Sequence, residues 1–181
     1  MNLEILSSDE LSENDLTVIT KFRIQEFGVE IPTNSISSNE DQNNLYFLLK
    51  DDTENILAFA MVEELPLKFH NESILVLCVS TVIATKKGEG YGKQVLAEIQ
   101  NYAKEKGRTL LGFCETDMIP YYQKCGFSIL SDEDNQFVYI DEKGEIVPKI
   151  IPGEVFYCDG DDGVISHILA EADKQVRVLR K

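Results

Sequence analysis

The strongest constraint in this chain is a long β-branched and apolar run that ends abruptly in glycines. "SILVLCVSTVIA" (Ser73–Ala84) is apolar on both faces, the pattern of a strand at the centre of a sheet. Gly88, Gly90 and Gly92 follow at every second position, interleaved with Glu89 and Tyr91. From about Gly90 to Lys106 the period turns helical: Val95, Leu96, Ile99, Tyr102 and Ala103 share one face, and Gly107 stops the helix. A strand–glycine loop–helix unit therefore occupies the middle of the chain. Glycine lets a backbone take positive φ and lets a ligand approach its N–H groups. The helix start adds unpaired amides and a partial positive charge. Lys86, Lys87 and Lys93 add full charges. The combination suits an anion such as phosphate. The glycines alone would equally suit a plain flexible turn; the lysines and the amphipathic helix favour the cradle. The spacing is GxGxG, which is neither the GxGxxG of a dinucleotide fold nor the GxxxxGK[ST] of a P-loop.

Other elements alternate around this unit. "LEIL" (Leu3–Leu6) reads as a strand. A helix is expected from Ser12, with Ser12 and Asp15 as a capping pair, Leu16, Ile19, Arg23 and Phe27 on one face, and Gly28 at its end. Ser35–Asn44 is polar and reads as a loop or short helix. "LYFLLK" (Leu45–Lys50) and "ILAFAMVEEL" (Ile56–Leu65) form a hairpin about "DDTEN". "TLLGFCE" (Thr109–Glu115) is a strand, and "DMIPYYQKC" (Asp117–Cys125) a short helix with Asp117 as N-cap and Pro120 in its first turn. "FSIL" (Phe127–Leu130) and "FVYI" (Phe137–Ile140) are late strands. A helix from Gly163 to about Lys174 is expected to close the chain, its apolar side (Ile165, Ile168, Leu169, Ala172) either capping the core or forming a homodimer contact. The expected organisation is one domain over 1–181, with a core of about 3–130 and an acidic extension over 131–181 that carries Asp132, Glu133, Asp134, Asp159, Asp161 and Asp162.

Charge and composition exclude several classes. The net charge of −15 disfavours nucleic acid and anionic membrane surfaces, which need basic faces, and suits a cationic amine as readily as plain solubility. No apolar run approaches the roughly 20 residues that span a bilayer, and "MNLEILSSDE" lacks the basic-then-apolar pattern of a secretory leader. Cys78, Cys114, Cys125 and Cys158 form no CxxC pair and read as buried thiols in a reducing cytoplasm. His70 and His167 are remote from them in sequence, so no metal site is expected.

Two segments together carry a family resemblance. Lys87-Gly88-Glu89-Gly90-Tyr91-Gly92 resembles the [Arg/Gln]-x-x-Gly-x-[Gly/Ala] pyrophosphate loop of the GNAT superfamily of acyl-CoA N-acyltransferases, with Lys87 at the Arg/Gln position. "PYYQKCGFSIL" (Pro120–Leu130) is similar to that family's Phe-Tyr-x-Lys-x-Gly-Phe segment, with Tyr121 at the Phe position. The matching core is about Leu45–Leu130, and "RIQEFGV" (Arg23–Val29) looks like the helix end of some subgroups. The resemblance implies an α/β fold with a mixed, largely antiparallel sheet of about six or seven strands flanked by helices. It implies acetyl-CoA as co-substrate and a small-molecule or peptide amine as acceptor. The coenzyme would be held by the backbone of Thr81, Val82, Ile83 and Ala84 and by the loop Lys87, Gly88, Glu89, Gly90, Tyr91, Gly92 and Lys93.

Tyr122 stands where the family has its general-acid tyrosine, although packing alone also suits it. A free alkylamine titrates near ~10 and arrives protonated, so a base or a desolvated site is needed. Glu63 and Glu64 end one strand, with at most one facing a cleft. Glu115 ends another, where the family often has Asn or Gln, so it departs from the pattern. These three are the base candidates, each also readable as a solvated surface group. Cys78 and Cys114 read as core rather than nucleophiles. The competing functions are a non-catalytic acyl-CoA-binding module of the same fold and an unrelated nucleotide-binding domain.

Overall fold

The computed structural model describes residues 1–28, 44–130, 137–140, 145–147, 154–171 and 175–179. Their elements run β1 (Asn2–Ser7), α1 (Glu13–Phe27), β2 (Leu45–Lys50), β3 (Ile56–Phe69), β4 (Glu72–Ala84), α2 (Tyr91–Glu105) and β5 (Leu110–Cys114). A 3-10 turn (Thr116–Met118), α3 (Ile119–Lys124), β6 (Ser128–Leu130), β7 (Phe137–Ile140), β8 (Ile146–Val147), β9 (Glu154–Cys158), α4 (Val164–Leu169) and β10 (Val176–Leu179) follow. The chain divides into two compact units, Met1–Glu63 with Ser80–Ile99 and Glu64–Val79 with Gln100–Lys181. The expected loop or helix over Ser35–Asn44 lies outside the described residues except for Asn44, as do Asp132, Glu133, Asp134 and Ala172.

In the first unit, Ser12 caps α1 as its spacing to Asp15 predicts. Its hydroxyl accepts from the Asp15 N–H at 3.1 Å, and the Asp15 carboxylate accepts from the Ser12 N–H at 3.3 Å. Gly28 ends the helix at φ 66°, where its N–H donates to the Ile24 carbonyl. The buried face differs from the expected one. Ile19 is buried with Asp15 and Thr20, whereas Phe27, the last helical residue, lies 52% exposed. β1 pairs antiparallel with β2, and β2 with β3. Ile19, Tyr46, Leu48, Phe59, Met61 and Ile83 form one core cluster.

Buried charge is concentrated at the end of β2. Lys50 is only 6% exposed, and its Nζ meets Glu4 Oε2 at 2.9 Å and Asp15 Oδ1 at 3.1 Å. Burial works to raise the Asp15 pKa, but hydrogen bonds from Ser12 and Lys50 and the Lys50 charge outweigh it and hold the carboxyl below its ordinary value. Burial likewise works to lower the Lys50 pKa, and its bonds to Glu4 and Asp15 reverse that.

In the second unit the strands lie in the order β6-β9-β5-β4-β3-β10-β7-β8. The β4–β5 and β7–β10 ladders are parallel, while β5–β9, β6–β9, β3–β10 and β7–β8 are antiparallel. More strands form than the sequence pattern suggested, because the region after Ser131 supplies β8, β9 and β10 as well as β7. The closing helix is shorter than expected: α4 stops at Leu169, and "VRVL" at 176–179 pairs as β10. Val164, Ile165 and Ile168 of α4 enter the core with Leu67, Phe69, Leu111 and Val155, so α4 caps this core. Asp117 is not a cap either. It lies in the 3-10 turn, and α3 starts from Met118 without a side-chain cap, with Pro120 in its first turn as expected.

The β5–β9 register depends on one glycine. Gly112 is the rung partner of Phe156, and a Cβ on Gly112 would come within 2.1 Å of the Phe156 ring. The ring therefore lies flat across β5 where any other residue would block it.

Two outcomes follow for stability. Lys50→Met, which strands the Glu4 and Asp15 carboxylates, is expected to cost about 3–5 kcal/mol in urea unfolding. The Asp15 contribution, from a carboxyl depressed below its ordinary 3.8, is complete above that value and lost as pH falls through its folded pKa. The Lys50 contribution, from an amine raised above 10.5, is complete below that value and lost as pH rises through its folded pKa. Melting curves from pH 2 to 12 read both limbs against Lys50→Met, which should flatten them. Gly112→Ala is expected to cost about 1–3 kcal/mol by overpacking, read as a lower urea midpoint at constant slope. An unchanged midpoint would contradict the close approach of Phe156.

Candidate active site

The anion cradle expected from the glycines lies wholly in the first unit. Along the end of β4, Thr81 and Ile83 are buried while Val82 and Ala84 are half-buried, as strand alternation requires. The β4–β5 ladder covers Leu77–Val79 against Leu110–Gly112, and no rung to β5 includes Thr81–Ala84. Thr85 ties the strand end to β3: its N–H and its hydroxyl both donate to the Leu57 carbonyl, at 2.9 and 3.0 Å.

Lys86–Gly90 is exposed. Gly88 and Gly90 take φ of +88° and +78°, and nothing lies within 4 Å of a Cβ placed on either. The sign of φ, not crowding, requires glycine there, and the space beside both residues is open. Gln94 N–H donates to the Gly90 carbonyl at 3.2 Å and closes the first turn of α2. The amides of Tyr91, Gly92 and Lys93 precede that bond and are the donors that a helix start leaves without an intrahelical acceptor. Gly92 is buried within the turn, and Lys93 and Glu89 are exposed. Lys87 is already engaged, its Nζ 2.7 Å from Glu26 Oε1 on α1. What this turn leaves open is therefore its backbone amides rather than the Lys87 side chain.

The second unit holds the candidate acid. Tyr122 of α3 is 7% exposed and stacks on Phe156 at 3.8 Å and 10°, over the gap that Gly112 leaves. Burial, with lesser contributions from Cys114, Tyr121 and Cys125, pushes its hydroxyl far above the ordinary 10. It is therefore a protonated donor at any ordinary pH. Tyr121 meets it edge-on at 5.3 Å and is pushed up to about 12, mainly by burial. Burial, then the charges of Glu154 and Asp117, raise the Cys114 thiol to about 11. Cys114 is thus a neutral thiol rather than a nucleophile.

The expected bases separate. Glu63 is half-buried and Glu64 exposed, on opposite faces as alternation predicts. Glu64 Oε1 lies 3.5 Å from Arg108 Nη1. Glu115 is exposed, at the start of the 3-10 turn. One acid went unnoticed in the sequence. Glu154 on β9 is 7% exposed, is the rung partner of Cys114, and has an Oε2 without a hydrogen-bond partner among the described residues. The β-branched and aromatic run of "EVFYC" is strand-like, but only pairing with β5 shows that its first residue is covered.

Residues 14–127 match the family model described as the acetyltransferase (GNAT) family. The fold is similar to that of ElaA from Escherichia coli, at 18% identity and TM-score 0.60, over 88% of this chain and 100% of that one. It is also similar to the GNAT family N-acetyltransferase YhbS from Escherichia coli in complex with CoA, at 11% identity and TM-score 0.67, over 100% and 91%. An acyl-CoA N-acyltransferase from Pseudomonas aeruginosa aligns at 15% identity and TM-score 0.57, over 87% and 99%. No curated protein matches the chain. At these identities the structural neighbours speak to the fold, whereas the family match spans both the glycine loop and the Tyr121–Phe127 segment, and by it the chain belongs to the GNAT acetyltransferase family.

Proposed function

We propose that the protein moves an acetyl group from acetyl-CoA to a primary amine by direct transfer. The observation that carries this reading is the cradle at the start of α2, where Gly88 and Gly90 take left-handed φ beside open space inside the segment that matches the family. In this reading the amides of Gly88–Lys93 hold the pyrophosphate, with Lys86 and Lys93 adding charge. Lys87 would contribute on release from Glu26. The backbone of Thr81–Ala84 pairs with the pantetheine amides as a neighbouring strand would. Acetyl-CoA supplies the acyl thioester.

Tyr122 is assigned the role of general acid, giving its proton to the departing thiolate. Its burial supports that duty by keeping the phenol protonated. A chain of net charge −15 suits a cationic acceptor. Four cysteines without a disulfide suit a reducing, cytoplasmic setting.

Acetyl-CoA at 100 times its Kd is expected to stabilise the protein by about 2.7 kcal/mol, seen as a raised melting temperature, with no shift from ATP or NAD. The absence of a shift with acetyl-CoA would remove the reading. A shift without thiol release across a panel of amines would favour the non-catalytic acyl-CoA-binding module. Tyr122→Phe is expected to lower kcat by about 10²-fold or more while the acetyl-CoA melting shift persists. Unchanged turnover would leave Tyr122 a packing residue.

A further inference from the structure

We infer that Glu154 forms the acceptor subsite: its buried carboxylate receives the ammonium group of the substrate amine and takes its first proton. The inference rests on the transferase reading above. Two carboxylates are buried among the described residues, Asp15 and Glu154. Asp15 is answered by Lys50. Glu154 has no ion-pair partner among the described residues, and its Oε2 accepts no hydrogen bond there. An ionised carboxylate kept from water without a cation costs several kcal/mol. A fold that retains such a group is completed by a ligand of opposite charge.

Its position fits that ligand. Glu154 is the rung partner of Cys114, the last residue of β5, so both side chains stand on one face of the sheet. Phe156, two residues on, shares that face and carries the Tyr122 ring. The candidate acid and the buried carboxylate thus flank the same strand end. Glu115 and Asp117, both exposed, follow Cys114 in the chain and add negative charge beyond that strand end, which attracts a cation. The other acids are less suited: Glu64 faces Arg108, and Glu115 is exposed to water. Because Oε2 is shielded from water, an ammonium that reaches it forms a stronger, charge-assisted bond than at the surface.

The proton balance closes. The ammonium gives one proton to Glu154, and the freed lone pair forms the C–N bond as the C–S bond breaks. The second proton leaves the nitrogen as the amide forms and replaces the one that Tyr122 gives to the thiolate. Glu154 then returns its proton to solvent.

The test compares wild type with Glu154→Gln, which keeps the shape and removes the charge. Three readouts are needed: melting without ligand, the melting shift with acetyl-CoA, and thiol release with butylamine, spermidine and a lysine-containing peptide. Glu154→Gln is expected to melt a few degrees higher, because an uncompensated buried charge is gone. It is expected to keep the acetyl-CoA shift and to lose at least 10-fold in kcat/KM for the best amine at neutral pH, in KM as the ion pair is lost and in kcat as the proton acceptor is lost, the deficit shrinking as pH rises toward the amine's own pKa. In wild type, butylamine at neutral pH should raise the melting temperature where butanol does not, and Glu154→Gln should abolish that difference. Glu154→Asp, which keeps the charge and shortens the reach, should raise the amine KM less than Gln does. Wild-type amine kinetics in Glu154→Gln, an Asp variant as impaired as Gln, a Gln variant that melts lower or fails to fold, or no charge-dependent stabilisation of wild type by butylamine would each overturn the assignment. Loss of the acetyl-CoA shift in wild type would instead remove the transferase reading itself.

Discussion

The C-terminal unit turns on a missing methyl group. Gly112 leaves room for the Phe156 ring directly over β5, and Tyr122 lies on that ring in parallel contact. Three consequences follow from one contact. The β5–β9 register is held, since a slip by one residue would turn Phe156 to the opposite face and set a side chain against it. α3 is anchored through its buried tyrosine. Glu154 is carried to its place opposite Cys114. The stacked rings also exclude water, which is the main reason that the Tyr122 hydroxyl stays protonated.

A second device ties β9 and α4 to the start of β5. Thr109 is fully buried. Its hydroxyl donates to Asp159 at 2.7 Å and accepts from the Gly160 N–H at 3.1 Å, while its own N–H donates to Asp162 at 3.0 Å. Asp159 also receives the N–H groups of Ile165 and Ser166 at the head of α4. Burial works to raise the Asp159 pKa, but these bonds, from Ser166 and Thr109 foremost, hold it below the ordinary value. Gly160 is required by space: its Cβ would fall 2.4 Å from the Arg108 carbonyl carbon. The acidic stretch 158–163 looks like a solvated face in the sequence, yet two of its aspartates are connectors whose charge replaces missing backbone partners.

The candidate site divides its labour between backbone and side chain. The loop at the head of α2 offers amides, and its demands on the sequence are conformational: left-handed φ at Gly88 and Gly90. One of its side chains, Lys87, is held by Glu26. The chemistry attributed to the second unit rests instead on side chains whose properties come from burial. Tyr122 and Cys114 differ from their surface counterparts chiefly because strands and rings cover them, and Glu154 is set apart by its burial.

That division explains what was legible. Local physics determined the capped α1, the β2–β3 hairpin, the central strand and the glycine loop, because cap spacing, turn residues, alternation and helix period act over a few neighbouring residues. The pyrophosphate-like loop could be read for the same reason, since it is one continuous segment. The position of β9 between β5 and β6, the end of α4 at Leu169 and the register that covers Glu154 were decided only in the tertiary structure. A short strand such as "EVFYC" has no intrinsic partner; it gains one when the Gly112 gap accepts Phe156, a contact between residues distant in the chain. The sequence by itself determined the locally specified elements, from the capped α1 and the β2–β3 hairpin to the central strand with its glycine turn and α2. Tertiary packing decided which acid is buried and which tyrosine is dry, because desolvation is a property of what surrounds a residue, not of the residue's own neighbours in sequence.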